Sequence, residues 1–168
     1  SFGVDHIRLG FDQVVLEEKP YVYRERTFRC VDNFVAWCRA SKLNVVLNLH
    51  KAVGNYCDVP STVALLDDAE LQNRFVALWL EFERRYHADD AVVFELLNEV
   101  KDVKPEAWNA LATRTIQEIR KVNATRKIVV GSTHWNSCDK LKNLQLFDDE
   151  NVIYTFHFYS PGEFTHQR

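Results

Sequence analysis

Two adjacent polar residues, Asn98 and Glu99, follow a run of mostly apolar residues that begins at Val92. A hydrophobic strand that delivers a Glu at its carboxyl end is how an α/β barrel places a catalytic acid. A carboxyl group in that position can donate a proton to a leaving oxygen. Taken alone, the pair is also typical of a strand that simply stops in a polar loop. The function of Glu99 therefore depends on what the rest of the chain brings to it.

Polar or aromatic side chains also lie near or just after the ends of the other predicted strands: Arg8, His50, Trp135 with His134, and His157 with Tyr159. Ligands of parallel α/β sheets bind at the carboxyl ends of the strands, so these side chains are expected at one edge with Glu99. Each has a structural alternative, as an ion-pair partner for Arg8, a hydrogen-bonded core histidine for His50 and His157, or hydrophobic packing for Trp135. Their joint occurrence favours a site suited to holding a sugar.

The elements that must position these residues are strands alternating with helices. Strands are predicted at 4–9, 45–49, 92–98, 127–132 and 152–156, and helices at 28–40, 71–86 and 105–123, with a shorter helix-like piece around 139–147. Apolar residues at helical spacing define the helices; Thr27 is the expected N-cap of the first, and Asp67 with Glu70 the expected capping box of the second. Residues 10–26 are expected to be a polar loop. Alternation of this kind implies parallel pairing through right-handed crossovers.

Composition bounds the class of protein. The 168 residues are 46% hydrophobic, which suits one globular domain, and the net charge of −3 offers no basic stripe for nucleic acid and no polybasic membrane patch. No apolar run is long enough to cross a membrane. Cys30 and Cys38 are predicted as buried thiols of one helix, whereas Cys57 and Cys138 are placed in loops where a disulfide is possible. No cofactor is expected.

Four motifs in this order carry a family resemblance: Asp-His-Ile-Arg-Leu, Leu-Asn-Leu-His-Lys, Glu-Leu-Leu-Asn-Glu and Phe-His-Phe-Tyr. The chain resembles glycoside hydrolase family 5, the cellulase-like family of retaining (β/α)8-barrel enzymes. The resemblance covers essentially the whole chain and corresponds to barrel strands two to six. It implies an α/β fold, a partial TIM barrel of about five parallel strands, with residues 1–168 forming a single, incomplete catalytic domain.

The resemblance also implies roles for individual residues. Glu99 matches the general acid/base, and Asn98 the amide that hydrogen-bonds the sugar 2-hydroxyl. Arg8 matches the arginine that orients the nucleophile, and His50 and His157 match histidines around the cleaved sugar. Tyr159 matches the tyrosine that donates a hydrogen bond to the nucleophile. Trp135 matches, more loosely, the aromatic platform on which the sugar stacks.

The chain also departs from the family pattern. The family nucleophile is a Glu after the seventh strand, which this sequence does not reach, and Glu163 is not assigned that role. The resemblance implies cleavage of a β-linked glucan or related polysaccharide, and a polymeric substrate implies an extracellular enzyme. The isolated 168-residue chain is expected to be poorly stable and inactive, because a partial barrel has open strand edges.

Three other functions remain open. A metal-dependent barrel hydrolase could use His50, His134 and His157, although no metal-ligand spacing supports it. A non-catalytic carbohydrate-binding protein on the same scaffold would keep Trp135 and the histidines without needing the acid. An open doubly wound sheet is less consistent with the sequence, since no Gly-rich phosphate loop follows the first strand.

Overall fold

The computed structural model describes residues 3–56, 64–101 and 103–167. In chain order its elements are β1 (His6–Asp12), α1 (Gln13–Leu16), β2 (Glu17–Lys19), β3 (Val22–Tyr23), α2 (Glu25–Ala40), β4 (Asn44–Lys51), α3 (Ala69–Tyr86), β5 (Val92–Glu95), α4 (Pro105–Val122), β6 (Ile128–Gly131), a short helical turn α5 (Thr133–Asn136), a 3-10 turn (Cys138–Asn143), β7 (Val152–Thr155) and α6 (Gly162–Thr165). The expected alternation of strands and helices is confirmed.

The main sheet has five strands in the order β1-β4-β5-β6-β7. Each neighbouring pair is parallel. Strands that follow each other along the chain are therefore also neighbours in the sheet, except that a small antiparallel pair, β2 and β3, intervenes between β1 and β4. A doubly wound sheet reverses its strand order at a switch point, whereas a barrel does not. The topology is that of consecutive barrel strands, as expected.

The hydrophobic core lies between this sheet and the helices. Alternate residues of the strands face the helices, and Phe94 of β5 packs against Trp79 and Phe82 of α3 with ring centroids 5.1 and 6.2 Å away. Phe28 of α2 joins this cluster at 5.1 Å from Phe82. All four rings are 0% exposed. Large aromatic side chains dominate core burial, so this cluster fixes α2 and α3 against the sheet.

Two helix starts differ from the expectation. Helix α2 begins at Glu25 after Arg24, so Thr27 is not its N-cap; the amide of Thr27 already donates to the carbonyl of Arg24 at 3.0 Å. Helix α3 is capped by Asp68 rather than Asp67, because the Asp68 side chain accepts from the backbone of Glu70 at 2.8 Å. Both predicted caps were wrong by one to three residues although both helices were correctly located.

The segment expected to be a polar loop is ordered around a buried carboxylate. It contains α1 and the β2–β3 pair, and the side chain of Glu17 in β2 is 1% exposed and bonded to Arg74 of α3 at 2.9 Å. Gln13 links the same carboxylate, at 2.9 Å, to the loop after β4 by accepting from the amide of Val53 at 3.0 Å. These bonds hold the β2–β3 pair against the main domain.

The cysteines divide differently from the expectation. Cys38 is buried in α2, as predicted, but Cys30 is exposed, so the prediction of a buried thiol was wrong there. Cys138 is of intermediate exposure and forms no disulfide with any cysteine that the structure describes. Cys57 lies outside the described residues, and the disulfide with Cys138 remains untested.

The face of the sheet opposite the helices is concave and open. Interior side chains of successive strands, among them Arg8, Val46, Val93, Glu95 and Val129, line a concavity of about 440 Å³. This face would be the inside of a closed barrel, where layers of side chains normally fill the space. Within the described part of the chain, no helix has the length and apolar character needed to cross a membrane.

Candidate active site

Glu99 and His157 meet beyond the carboxyl ends of β5 and β7. Nδ1 of His157 lies 2.7 Å from Oε1 of Glu99, and each side chain is 19% exposed. A neutral imidazole carries one N–H, so the proton between the two atoms can belong to either partner. The backbone of each residue is also hydrogen-bonded. The side-chain amide of Asn55 donates to the carbonyl of Glu99 at 3.2 Å, and the backbone amide of His157 donates to the carbonyl of Asn136 at 2.7 Å.

Arg8 connects β1 to the end of β5. Its Nε and Nη2 donate to the two carboxylate oxygens of Glu95 at 2.6 and 2.8 Å, and Nη2 also donates to Oδ1 of Asn98 at 2.7 Å. The pKa of Arg8 is raised chiefly by its hydrogen bonds to Glu95, against the opposing effect of burial, with smaller electrostatic contributions from Glu95, Glu99 and Tyr159. The guanidinium is therefore a permanent cation whose orientation is set by Glu95 and whose field reaches Glu99.

His50 belongs to β4, the strand between β1 and β5, and not to the loop after it. Its Nδ1 lies 3.3 Å from Oδ1 of Asn48, two residues earlier on the same face. Asn48 is in turn in register with Glu95 of β5. His50 thus stands on the same edge as the Arg8 and Asn98 contacts, with one ring nitrogen directed along its own strand.

Trp135 sits in a turn with an unusual backbone. His134, Trp135 and Asn136 all have positive φ, at 58°, 53° and 58°. Left-handed conformations in three consecutive non-glycine residues are strained and persist only where neighbours enforce them. Here the amide of Trp135 donates to the carbonyl of Val100 at 2.8 Å, which ties this turn to the loop after Glu99. The indole is 40% exposed, as a substrate platform would require.

Tyr159 is the most loosely placed of the expected site residues. It is 55% exposed, and its ring stands edge-on to His157 with centroids 6.4 Å apart. The structure therefore forms two contacts, Arg8 with Asn98 and Glu99 with His157, which are adjacent because Asn98 precedes Glu99 in the chain. His50 stands beside them, and Trp135 and Tyr159 lie at the exposed rim.

Two residues of this network were not anticipated. Glu95 is a charged residue inside an apolar run, and that contrast was a signal in the sequence. Asn55 lies in the loop after β4, and nothing in its local sequence indicates that it holds the backbone of Glu99. No set of three His, Cys, Asp or Glu side chains suited to a metal ion occurs among the residues that the structure describes, so the histidine-based metal alternative gains no support.

The arrangement can supply one proton donor and several hydrogen bonds. Retaining hydrolysis requires two carboxyl groups about 5 to 5.5 Å apart, one to protonate the leaving oxygen and one to attack. Glu95 cannot be the attacking group, because it is 3% exposed and both of its oxygens accept from Arg8. Glu99 is thus the only carboxylate among the expected site residues with a contact suited to proton transfer.

Polar side chains at the carboxyl ends of consecutive parallel strands are where α/β-barrel enzymes place their active sites. The family model described as Cellulase (glycosyl hydrolase family 5) matches residues 1–168, and the chain belongs to that family. The predicted family and fold class are thereby confirmed.

Similar proteins agree with this placement. The chain is 38% identical to Endoglucanase C of Acetivibrio thermocellus over 169 residues, which are 99% of this chain and 49% of that protein. It is 38% identical to Cellodextrinase A of Ruminococcus flavefaciens over 173 residues, 99% of this chain and 51% of that protein. The crystal structure of endoglucanase Cel5A from Thermotoga maritima superposes with a TM-score of 0.84 at 30% identity, covering 98% of this chain and 52% of that one. The chain spans about half the length of the curated relatives it matches.

Proposed function

We propose that the protein is a retaining glycoside hydrolase that cleaves β-linked glucan, with Glu99 as its general acid/base. The observation that carries the proposal is the 2.7 Å contact between Glu99 and His157 beside the Arg8–Asn98 hydrogen bond. Relatives named endoglucanase and cellodextrinase support the glucan substrate. T. maritima Cel5A, a structural relative, has been solved in complex with cellobiose. A polymeric substrate places the enzyme outside the cell.

Each residue then has a chemical task. Glu99 protonates the leaving oxygen and afterwards takes a proton from the attacking water. Asn98 bonds the sugar 2-hydroxyl, and Arg8 favours ionisation of the nucleophile, a Glu of the seventh barrel strand that is not in this chain. His50 and His157 surround the cleaved sugar. Two exposed aromatic residues complete the site. Trp135 stacks on the sugar, and Tyr159 donates a hydrogen bond to the nucleophile.

The experiment replaces the carboxyl group of Glu99, the proposed proton donor, in the protein's full natural chain. Glu99→Gln is expected to lower kcat/KM on β-glucan by about 10² to 10⁴, the usual contribution of general acid–base catalysis. Glu99→Ala should form the glycosyl-enzyme almost normally from a dinitrophenyl cellobioside, because that leaving group needs no proton. Added azide should then restore turnover and yield the glycosyl azide, as azide attacks the intermediate without a general base.

Glu150→Ala provides the control, since Glu150 is exposed in the turn that precedes β7, at the other end of the strand. It is expected to behave as the wild type on every substrate. Unchanged glucan hydrolysis by Glu99→Gln would overturn the assignment of the acid. A wild-type protein that binds glucan but hydrolyses neither substrate would instead support the carbohydrate-binding alternative.

A further inference from the structure

Glu95 is a buried charge in the middle of the main sheet. It belongs to β5, is 3% exposed, and pairs in register with Asn48 of β4 and Val129 of β6. Moving a carboxylate out of water costs several kcal/mol unless a partner and hydrogen bonds compensate it. Leu or Val would fill such a strand position without that cost. The carboxylate at this position therefore calls for a reason beyond packing.

The ion-pair partner of Glu95 is Arg8, which lies two strands away in the sheet. Arg8 belongs to β1, β4 lies between β1 and β5, and neighbouring strands are about 4.8 Å apart, so the side chains of Arg8 and Glu95 together must span roughly 10 Å of sheet. Arg8 arrives with two parallel N–H···O bonds to Glu95. A bidentate guanidinium–carboxylate pair fixes the plane of the guanidinium as well as its position, which a single ion pair does not.

The fixed guanidinium in turn sets the amide of Asn98. Nη2 of Arg8 donates to Oδ1 of Asn98 at 2.7 Å, so the oxygen of the amide faces Arg8. The other end of the same amide, Nδ2, is then turned away from Arg8 as a hydrogen-bond donor. Asn98 is 4% exposed and its own backbone amide donates to Leu49, which leaves it little freedom to turn.

We infer that Glu95 is a positioning residue of the active site, which acts through Arg8 to hold the Asn98 amide with its N–H groups toward the sugar 2-hydroxyl. Without the carboxylate, the guanidinium would lose two of the three hydrogen bonds that orient it. Its plane would no longer be fixed, and the Asn98 amide would lose its alignment toward the sugar. The inference rests on the proposed function, because it assigns Asn98 to the 2-hydroxyl.

If the ion pair between Glu95 and Arg8 only stabilised the fold, its loss would slow the hydrolysis of every substrate equally. A substrate without the 2-hydroxyl therefore distinguishes a structural role from a positioning role. Hydrogen bonds to the 2-hydroxyl strengthen in the transition state of glycoside hydrolysis. A group that acts through such a bond therefore lowers kcat with little change in KM when it is removed. Its loss should also matter little for a substrate that lacks the hydroxyl.

The test compares an aryl β-cellobioside with its analogue lacking the 2-hydroxyl on the cleaved sugar, using the protein's full natural chain. Glu95→Gln is expected to lower kcat on the parent substrate on the order of 100-fold, as a misplacement of about 1 Å does. On the deoxy analogue the same variant should change kcat by about twofold, the usual limit for sites that do not interact.

Glu83→Gln is the matched control for loss of a buried ion pair. Glu83 and Arg126 are each 1% exposed and bonded at 2.7 Å. The guanidinium of Arg126 also donates to the carbonyl of Val92 at 2.6 Å, at the amino end of β5 and away from the site. This variant is expected to lose stability while it keeps its kcat on both substrates at temperatures where it is folded.

Glu95→Asp covers the case in which Glu95→Gln does not fold. It keeps the charge but draws the carboxylate back by about 1.5 Å, one carbon–carbon bond, and the same dependence on the 2-hydroxyl is expected with a smaller loss. Equal fractional losses on the two substrates in either variant would overturn the inference alone. A wild-type protein that turns over neither substrate would overturn the proposed function and the inference with it.

Discussion

At the scale of single residues, Gly131 is a position where a side chain would collide with the framework of the site. An added Cβ would lie 2.4 Å from Oδ1 of Asn136. Asn136 is 0% exposed. Its side-chain oxygen Oδ1 accepts from the backbone amide of Ser132 at 3.0 Å, and its backbone carbonyl accepts from the backbone amide of His157 at 2.7 Å. Asn136 therefore cannot move aside without disturbing both the turn that carries Trp135 and the residue that contacts Glu99.

Gly131→Ala is accordingly expected to destabilise the protein by about 1 to 3 kcal/mol, the usual cost of overpacking, and to lower kcat/KM. Gly162→Ala is the matched control, because nothing lies within 4 Å of a Cβ built there. Urea denaturation of the two variants and the wild type measures the first effect, and glucan hydrolysis the second. A Gly131→Ala protein as stable and active as Gly162→Ala would contradict the role given to Asn136.

The sequence predicts those site residues that stand directly at strand ends. Asn98, Glu99 and His157 could be brought together in advance because parallel strands share one carboxyl edge. The partner of Arg8 could not, since sequence alone does not show which carboxylate a long side chain reaches across an intervening strand. Nor does anything in His-Trp-Asn predict three left-handed residues, which only the surrounding contacts enforce.

At the scale of elements, the β2–β3 pair depends on the carboxylate of Glu17. The pKa of Glu17 lies below its ordinary value of 4.5: burial raises it, but the hydrogen bonds from Arg74, the backbone of Tyr21 and Gln13, with the charge of Arg74, together outweigh burial. Since the folded protein favours the ionised form, this carboxylate contributes stability that is complete above the unfolded value. The contribution is lost as the pH falls through the lower folded value.

Glu17→Gln is expected to lower the free energy of unfolding by about 1 to 3 kcal/mol at neutral pH, because Arg74 loses a charged partner. The difference from the wild type should shrink as the pH falls below about 4.5, where the unfolded chain takes up a proton on this carboxylate, and should vanish once the folded carboxylate is protonated and resembles the amide. Denaturant midpoints across this pH range measure the effect, with Glu18→Gln, the exposed neighbour, as the control. A difference that is constant with pH would count against the role of the charge.

The three long helices, α2, α3 and α4, and the five strands of the main sheet were predictable because their apolar periodicity is strong and continuous. The β2–β3 pair was not, since residues 17–23 are mostly charged or aromatic, contain Pro20 and show no alternation of apolar and polar positions. The cap of α3 was missed by one residue because Asp67 and Asp68 are chemically equivalent caps. Which of the two sits at the helix start is decided by the packing of the helix, not by its local sequence.

At the scale of the whole molecule, the alternation of strands and helices predicts parallel pairing through right-handed crossovers, whereas the barrel-type order of the strands was implied by the family resemblance. What the alternation does not show is how much apolar surface the sheet edges expose. In the described residues β1 and β7 each pair with one neighbour. Ile153 and Phe156, in and after β7, are 44% and 52% exposed, and Trp37 beside the β1 edge is 68% exposed.

The 168-residue polypeptide expressed by itself is therefore expected to self-associate at micromolar concentration, because unpaired, apolar strand edges pair with other chains. Replacing Ile153 and Phe156 by Lys should shift it toward the monomer, since charges on an edge strand oppose such pairing. Leu146→Lys is the control, being 81% exposed in a loop outside both edge strands. Light scattering coupled to size-exclusion chromatography measures the mass. A wild-type polypeptide that is monomeric, melts cooperatively and hydrolyses glucan would contradict this prediction, because it would be stable and active with the edges of β1 and β7 unpaired.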